Sequence, residues 1–389
     1  MVKLIVKAKR LNKRSVVPSF LPDPNNIVAV VNENFIFEGE EVSITEAPDP
    51  ALGKWYKDRD GHFYWGGALA LVATGDFTIT APPPEARVRF DASKMSWGHQ
   101  FYDIPFLWDD LNTRGDGVLV AVIDTGVDED HEDLVQNIHP LSKSFVGNPE
   151  SITDNDGHGT GMAGIIGAAG NSKVFGVAPE CKMLIVKATP QVAGVDLGPF
   201  ADAVNFVSSV AEVDIVSISY SFAEDNPGLK QAIRNCLNAN KIVLAAIGNG
   251  HIFPSGDDDR FPAAYNNGFP GHDGVLAIGA FDSGGQLCSF SNWNRHLSCV
   301  APGDFSVLTT GLGNTVVSGA GTSIATAFTA GCLALMVSYA KTNHPEKINE
   351  CINALLSTCD DIGATVGFDI SSGNGRINLR NAISKLKNL

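Results

Sequence analysis

Residues Val118-Leu119-Val120-Ala121-Val122-Ile123 form an uninterrupted apolar run that is rich in β-branched side chains. A short run of this kind is typical of a strand that is buried on both faces of a parallel sheet. Similar runs follow along the chain, at residues 183–187, 213–219, 242–246 and 274–279. The chain from Gly117 onward therefore predicts a sheet that is covered on both sides.

Segments of helical character separate these strands, at residues 158–170, 198–211, 228–240 and 323–343. Alternating strands and helices predict an α/β fold with a mostly parallel central sheet and helices on both faces. In such sheets ligands bind beyond the carboxyl ends of the strands. Functional residues are therefore expected at those ends.

Polar residues stand at several positions of this kind. Asp124 directly follows the first strand, and Asn249 follows a later one. His158 has a glycine on each side and begins a small-residue helix, while Ser323 follows the turn Gly319-Ala320-Gly321. We expect the Ser323 hydroxyl near a helix N-terminus, where unsatisfied N–H groups favour negative charge. Other histidines look like ordinary surface or loop residues: His131, His139, His251, His272, His296 and His344.

Together these four residues supply the roles that acyl transfer requires. Ser323 would be the nucleophile, and His158 the base that takes its proton. Asp124 would hold the imidazole in the productive tautomer, and Asn249 would donate to the oxyanion. The order Asp, His, Ser is a known chain order for such a triad. A serine that only caps a helix is the alternative interpretation of Ser323.

At these motifs the chain resembles the subtilisin-like serine proteases, the subtilase family. Residues 120–128 resemble the family's Asp motif, residues 157–160 its His motif and residues 321–325 its Ser motif, and residues 248–249 resemble its oxyanion element. Further similar segments lie at residues 176–179, 275–280, 290–292, 301–303 and 373–378. The resemblance implies a subtilisin-like fold and a serine endopeptidase that cleaves protein or peptide substrates through an acyl-enzyme.

Two positions near the motifs depart from the family's pattern. Gly161 stands where the family usually has His, and Ala327 where it usually has Pro. That Pro shapes the turn behind the nucleophile, so Ala327 could shift Ser323 and favour aminolysis of the acyl-enzyme over hydrolysis. A peptide ligase or precursor-maturation protease is therefore an alternative function. A catalytically silent peptide-binding scaffold is a further alternative.

A third departure lies in the substrate-binding strand, which the resemblance places at Ser219-Tyr220-Ser221 and Phe222. Relatives typically carry glycines where Ser221 and Phe222 stand. We expect these two side chains to narrow or reshape the pocket for the residue before the scissile bond. The residue preference of the family is therefore not carried over.

The resemblance implies no organic cofactor, and we assign no metal ligands. Residues 171–175 correspond to a calcium-binding loop in many relatives, but the loop is short here and contains Lys173, so calcium is left unassigned. The run Gly256-Asp257-Asp258-Asp259-Arg260 could bind a metal or attract a basic substrate. A solvated loop is the preferred interpretation of that run.

The first 80 residues have a different character. Strand-like runs occur at residues 2–9, 27–31, 34–37, 41–45 and 77–80, and no helical period is found. Asp60-Gly61 is a hairpin signal between two aromatic-rich arms. We predict a small all-β domain at residues 1–80 that resembles bacterial SH3-like modules, with its aromatic residues forming a core or, as the alternative, binding a peptide or cell-wall ligand.

The stretch Ala81-Pro82-Pro83-Pro84-Glu85 is a stiff linker. We predict a linker over residues 81–99 and a protease domain over residues 100–389. Many relatives carry an α+β propeptide, whereas residues 1–80 lack helical patterning. We therefore interpret residues 1–80 as an accessory domain that positions a partner or substrate.

The 389-residue chain has a net charge of −15, all of it carried by residues 91–389. That charge argues against nucleic-acid binding and fits solubility, or secondarily a cationic substrate. The N-terminus lacks the apolar core of a secretory signal, and no apolar run looks long enough to span a bilayer. We expect a cytoplasmic protein without a membrane span. The seven cysteines, with no C-x-x-C pair, are expected to be buried free thiols.

Overall fold

The structure is a computed structural model. It describes residues 90–250, 259–266, 274–305, 307–363 and 366–388, together with strand segments between residues 2 and 71. The chain divides into two compact units, Met1–Val88 and Arg89–Leu389. Each unit is described by itself below.

The described strands of the first unit pair antiparallel. They are β1 (Val2–Val6), β2 (Arg10–Arg14), β3 (Ile27–Asn32), β4 (Ile36–Val42), β5 (Trp55–Asp58), β6 (Phe63–Trp65) and β7 (Leu69–Leu71), in the sheet order β3-β2-β6-β5-β4-β1-β7. β5 and β6 flank Asp60-Gly61 in the sequence and pair with each other, as the hairpin signal predicts. The predicted strand at residues 77–80 lies outside the described residues, and the SH3-like character stays a prediction.

A parallel sheet forms the centre of the second unit. Its strands are β8 (Leu119–Asp124), β9 (Lys143–Ser144), β10 (Lys182–Lys187), β11 (Ile215–Ile218), β12 (Ile242–Ala246), β13 (Leu276–Phe281) and β14 (Leu297–Pro302). The order is β14-β13-β12-β11-β8-β10-β9, and every neighbouring pair is parallel. Every residue of β8 and of β11 to β14 is buried, so both faces of the sheet are covered. The predicted α/β fold is confirmed.

Helices surround this sheet. They are α1 (Trp97–Tyr102), α2 (Ile104–Leu111), α3 (His158–Gly167), α4 (Leu197–Ser209), α5 (Pro227–Asn238), α6 (Thr322–Asn343), α7 (Glu350–Leu356) and α8 (Leu379–Lys387). Helix α3 packs against α6, and α4 packs against α5. An antiparallel hairpin of β15 (Val307–Gly311) and β16 (Thr315–Gly319) precedes α6.

Element ends differ from the predicted ones by a few residues. The strand predicted at residues 213–219 is β11, which spans only Ile215–Ile218, the four residues that pair with β8. The strand predicted at residues 274–279 begins later, because Gly274 has φ +77°, a conformation outside the strand region. Strand β14 and helices α1, α2, α7 and α8 are additional elements that were not predicted from the sequence.

Helix α6 forms the middle of the core, in contact with β11, β12, β13 and β14. Its small residues allow close approach, since a Cβ on Gly331 would lie 2.6 Å from Cβ of Val177. The helix is long and apolar enough to cross a membrane, whereas no apolar run of that length was expected from the sequence. However, 89% of that apolar window is buried inside the protein, as in a core helix. It therefore gives no indication of a membrane span.

Helix α3 is fixed against β15 by side-chain hydrogen bonds. Thr309 Oγ1 donates to the carbonyl of Gly161 at 2.5 Å, and Thr310 Oγ1 donates to the carbonyl of Thr160 at 2.7 Å. A Cβ added to Gly164 would press into Thr309 and Thr310, including the Thr310 backbone nitrogen at 2.8 Å. A Cβ on Gly161 would meet nothing closer than a methyl group at 3.4 Å.

Alanine substitutions of Gly164 and Gly161 give a matched test of the contact between α3 and β15. We expect Gly164→Ala to lower the free energy of unfolding by about 1–3 kcal/mol, because the added methyl overpacks a backbone contact. Gly161→Ala is expected to be neutral or stabilising by up to about 1 kcal/mol, since alanine favours helix more than glycine does. Thermal unfolding of both variants checks this, and equal midpoints would contradict it.

Candidate active site

The parallel register brings distant parts of the chain to one edge of the sheet. Ile218 at the end of β11 lies between Ile123 of β8 and Ala245 of β12. The chain therefore leaves all three strands at the same level. Asp124, Ser219 and the segment leading to Asn249 emerge side by side at the carboxyl edge, where a site was expected.

Asp124 and His158 form a hydrogen-bonded pair at this edge. Nδ1 of His158 lies 2.8 Å from Oδ1 of Asp124, and the backbone nitrogen of Thr125 donates to the same oxygen at 2.8 Å. The Asp124 side chain is 1% exposed and that of His158 19%. The pair therefore joins a shielded carboxylate to an imidazole that solvent and substrate can reach.

The glycine on the C-terminal side of His158 is required by close packing. A Cβ on Gly159 would clash with the carbonyl oxygen of Gly126 and lie 3.0 Å from its nitrogen. The backbone nitrogen of Gly159 donates to Oγ1 of Thr125 at 2.8 Å. The start of α3 is thus attached directly to the turn that follows β8, and this attachment sets the position of His158.

Charges around His158 raise its pKa above the ordinary value. Burial by itself lowers the pKa, but the charge of Asp124 and its hydrogen bond outweigh burial, and Asp156 and Asp154 add to the rise. Burial would raise the pKa of Asp154, yet hydrogen bonds from Gly157 and Thr160 keep it below its usual value. Asp154 therefore remains ionised and holds the turn before His158.

Ser323 is the second residue of α6 and is half-buried. This position at the N-terminus, predicted from the sequence, surrounds the hydroxyl with backbone N–H groups of the first turn. A Cβ on Gly321 would lie 3.0 Å from Oγ of Ser323 and 3.4 Å from Nδ2 of Asn249. The missing side chain of Gly321 therefore leaves room between the hydroxyl and the amide.

The Asn249 side chain is held in one orientation by Thr322. The backbone nitrogen and Oγ1 of Thr322 both donate to Oδ1 of Asn249, each at 3.0 Å. Because Oδ1 is the acceptor, Nδ2 is the end that faces the Ser323 hydroxyl. The Thr322 hydroxyl is also close to the backbone nitrogen of Gly248, which donates to it at 3.2 Å. The amide is thus a pre-oriented donor beside Ser323.

The predicted substrate-binding residues lie along this cleft. Oγ of Ser219 donates to the carbonyl of Ser323 at 3.1 Å, and the ring of Tyr220 meets that of His158 edge-on with centroids 5.6 Å apart. Tyr220 and Ser221 line a cavity of about 380 Å³, whose other walls include Val192, Leu197, Phe222 and Glu224. The substrate-binding role of Ser219, Tyr220 and Ser221 stays a prediction.

Phe222 fills space beside this cavity. Its ring lies 5.1 Å from that of Phe200 and stacks at 6.2 Å on Tyr220. Its backbone pairs with Phe261, with reciprocal hydrogen bonds of 2.7 and 2.8 Å. A bulky side chain therefore stands at the wall of the cleft, where glycine is usual in the family that the sequence resembles.

Three supporting residues were missed by sequence reasoning: Thr322, Thr125 and Asp154. Each adjoins a predicted site residue along the chain or lies within four positions of one. Their hydroxyl and carboxylate side chains were a visible signal, since such groups often bind nearby backbone N–H groups. Their partners, however, depend on the folded arrangement.

The remaining histidines were predicted to lie at the surface or in loops, and His131 and His296 do lie in loops, but both are buried rather than at the surface. His131 is fully buried, with Nε2 3.0 Å from the carbonyl of Thr315, and His296 is 4% exposed with Nε2 3.0 Å from Asp259. Hydrogen-bond partners compensate the cost of burying each imidazole. His251 and His272 lie outside the described residues.

All seven cysteines are free, and six of them are buried. Burial raises the pKa of Cys181 and that of Cys236 to about 12, so both thiols stay protonated and unreactive. Cys359 is only partly buried. The predicted absence of disulfides agrees with this arrangement.

Two segments of the sequence carry residues that could supply metal ligands, residues 171–175 and 256–260. In the first, backbone nitrogens of Ser172, Lys173 and Val174 donate to the carboxylate of Asp133 at 2.7 to 3.0 Å. Of the second, Gly256 to Asp258 lie outside the described residues, and Asp259 pairs with Arg295 at 3.1 Å. Within the described part of the chain, no three His, Cys, Asp or Glu side chains are grouped to hold a metal ion.

Comparison with known proteins agrees with this geometry. A model of the subtilase family matches residues 115–375. The major intracellular serine protease of Bacillus subtilis (strain 168) is 34% identical over 273 residues, which are 67% of this chain and 80% of that protein. The intracellular serine protease of Paenibacillus polymyxa is 35% identical over 263 residues, covering 65% of this chain and 76% of that protein. Subtilisin DY of Bacillus licheniformis is 31% identical over 270 residues, covering 69% and 92%.

The family match covers most of the chain and spans all four residues singled out at the carboxyl edge, from Asp124 to Ser323. All three of these relatives are more than 30% identical over more than two thirds of their own length. The chain therefore belongs to the subtilase family, and it is a serine-type endopeptidase that acts on proteins or peptides.

Proposed function

We propose that Asp124, His158 and Ser323 form the catalytic triad of this endopeptidase and that Asn249 supplies the oxyanion donor. The observation that carries the proposal is the 2.8 Å contact between His158 and Asp124 at the edge where Ser323 also lies. The amide of Asn249, fixed by Thr322 beside the Ser323 hydroxyl, supports the second part. A serine that served only as a helix cap would not need either arrangement.

Each step of peptide hydrolysis then has a donor and an acceptor. Oγ of Ser323 attacks the scissile carbonyl while Nε2 of His158 takes its proton, and Asp124 stabilises the imidazolium through Nδ1–H. Nδ2 of Asn249 donates to the oxyanion, and the N-terminus of α6 favours the same charge. Nε2–H of His158 protonates the leaving amine, and a water molecule activated by His158 then releases the acid and restores Ser323.

The cavity lined by Tyr220, Ser221 and Phe222 is the proposed binding region for substrate side chains. Its lining combines apolar and aromatic side chains with the hydroxyl of Ser221 and the carboxylate of Glu224. Phe222 and Ser221 narrow the cleft, in our proposal, and so restrict the residue before the scissile bond. Ser219 contributes by holding the carbonyl of Ser323 at 3.1 Å.

We further propose that the reaction needs no organic cofactor, since every group in the scheme is a side chain or the N-terminus of α6. Calcium stays unassigned. The names of two relatives as intracellular proteases support a cytoplasmic location for this chain as well. Residues 1–80 are proposed as an SH3-like accessory domain for a partner or substrate, with a linker over 81–99 and the protease domain over 100–389.

The peptide ligase or precursor-maturation function is retained as a second proposal because of Ala327, which is fully buried within an unbroken α6. If it holds, a peptide ester offered with an added amine should give mainly the amide, since a displaced Ser323 disfavours attack by water. Chromatography of the products measures the ratio. Ala327→Pro is then expected to shift the products towards the acid, and an excess of acid from the intact chain would contradict ligation.

The direct test of the triad is labelling with a fluorophosphonate, which needs an activated serine but no known substrate preference. We expect the intact chain to be labelled and Ser323→Ala to lose the label, because Ser323 is the nucleophile of the proposed triad. Ser318→Ala, at an exposed position of β16, is the matched control and should be labelled like the intact chain. An unlabelled intact chain would favour the silent-scaffold alternative.

The charge of Asp156 predicts a pH effect. Asp156 raises the pKa of His158, and the imidazole must be neutral to act as base, so activity is lost as the pH falls through that pKa. Asp156→Asn should therefore move the acid limb of kcat/KM to lower pH, raising activity below the limb by roughly twofold, as suits a screened surface charge. The pH profile in low salt measures this.

The control for this profile is Asp202→Asn, which removes an equal charge from an exposed position on α4. Asp202 is not among the groups that act on His158, so its profile should match that of the intact chain. The shift caused by Asp156→Asn should also shrink in 1 M salt, where the screening length is about 3 Å. A shift to higher pH would contradict the sign of the effect.

A further inference from the structure

Tyr220 is a tyrosine placed against the imidazole of the proposed triad. It lies two residues beyond the end of β11 and is 5% exposed. Its ring meets that of His158 at 66° with centroids 5.6 Å apart, and the ring of Phe200 lies 5.4 Å away. Packing therefore fixes both the position of the phenol and its distance from the site.

Two buried polar atoms at this place lack a hydrogen-bond partner. They are the hydroxyl of Tyr220 and Oδ2 of Asp124, both unsatisfied within the described part of the chain. The other oxygen of Asp124 accepts from His158 and Thr125. A buried polar atom without a partner is costly, and one of these atoms is a donor while the other is an acceptor.

The strand register places the two residues at adjacent levels of the carboxyl edge. Ile218 pairs with Ile123, so Tyr220 follows β11 at one residue beyond the level of Asp124 on β8. Burial raises the pKa of Tyr220, and the charge of Asp124 raises it further, as do Asp156, Asp154 and a side-chain interaction of the phenol with Asp124. The phenol therefore stays protonated and remains a donor.

Lys187 is the cation nearest to Asp124 in the strand register, and it does not take the place of the Tyr220 phenol as a donor. Lys187 of β10 pairs in register with Asp124 from the other side of β8, and it is 6% exposed. Its ammonium group donates to the carbonyl of Thr153. The other charged groups that act on the imidazole are the carboxylates Asp154 and Asp156. The second oxygen of Asp124 therefore depends on a neutral donor.

We propose that Tyr220 is a positioning residue of the triad, whose hydroxyl donates to Oδ2 of Asp124 while its ring holds the His158 imidazole. In this proposal the two unsatisfied atoms bond to each other. Asp124 is then held at both oxygens, so that its plane is fixed relative to Nδ1 of His158. This inference rests on the proposed triad and adds a role to a residue that the sequence assigned only to substrate binding.

The bond also moderates the effect of Asp124 on His158. A donor on Oδ2 draws charge away from Oδ1 and weakens the attraction for the imidazolium. Removing the phenol hydroxyl should therefore raise the pKa of His158 while loosening the orientation of the carboxylate. Burial of Tyr220 alone, without the bond, would produce neither result.

The test is Tyr220→Phe, which keeps the ring and removes the hydroxyl. We measure the titration of His158 by NMR with ¹⁵N-labelled histidine in the full chain carrying Ser323→Ala, so that no activity is needed. We expect the titration of His158 to move to higher pH. With Ser323 present, we expect kcat for a peptide substrate to fall about tenfold with KM little changed, since a misaligned base slows chemistry more than binding.

The matched control is Tyr102→Phe. Tyr102 is also buried, at 6% exposure, and its hydroxyl donates to the carbonyl of Ile377 at 2.8 Å, away from the site. We expect it to lower the thermal unfolding midpoint and leave the His158 titration unmoved. If Tyr220→Phe leaves that titration unmoved or moves it to lower pH, the proposal is overturned.

Failure of the proposed triad and failure of the proposed role of Tyr220 would give different experimental results. An intact chain that neither labels nor hydrolyses peptides would remove the proposed triad, whatever Tyr220 does. A chain that hydrolyses peptides normally after Tyr220→Phe, with an unchanged titration of His158, would remove only the role of Tyr220.

Discussion

The parallel pairing of β8, β11 and β12 is the constraint on which the site depends. In a parallel sheet, strands that share a register also share the edge at which they end. Ile123, Ile218 and Ala245 stand at one level, so the residues that follow them leave the sheet together. Asp124, Ser219 and the segment leading to Asn249 lie close together because backbone hydrogen bonds join the three strands. Attraction between their own side chains is not what brings them together.

The proposed nucleophile, Ser323, reaches the same edge through helix packing. Helix α6 is apolar on nearly all sides and lies against four strands, so the hydrophobic effect fixes it along most of its length. Small residues such as Gly331 let it approach closely. With the helix body immobilised, its first turn holds Ser323 rigidly, and Thr322 locks the Asn249 amide beside it. The packing of α6 that stabilises the fold therefore also sets the positions of Ser323 and Asn249 in the proposed site.

Electrostatics at the site favour the charged form of His158 even though burial opposes it. Three carboxylates, Asp124, Asp154 and Asp156, act on the imidazole, and only Asp124 touches it. In the proposed mechanism, this arrangement stabilises the imidazolium that forms during proton transfer. Its cost is a group of buried acceptors that need donors, which Thr160, Gly157 and Thr125 provide. Oδ2 of Asp124 is the acceptor that lacks a partner, and in our proposal the phenol of Tyr220 donates a hydrogen bond to it.

The sequence by itself determined the α/β class, the five main strands to within a few residues, and the helices that begin at His158 and Thr322. These features are local, because apolar runs, glycine turns and helix starts depend on residues near one another in the chain. The four proposed site residues were also visible, since each stands within two residues of a glycine or at a strand end.

Only the tertiary structure decided which side chains meet. The bonds from Thr322 to Asn249, the burial of His131 and the contact of Tyr220 with His158 join residues far apart in the chain. Helix α1 and strand β14 likewise escaped detection, whereas α8 has a local signal that was missed, since its buried residues Leu379, Ala382, Ile383 and Leu386 follow a helical period. Periodicity reports which face of an element is apolar, whereas the partner of each polar atom is set by register and packing, which depend on the whole chain.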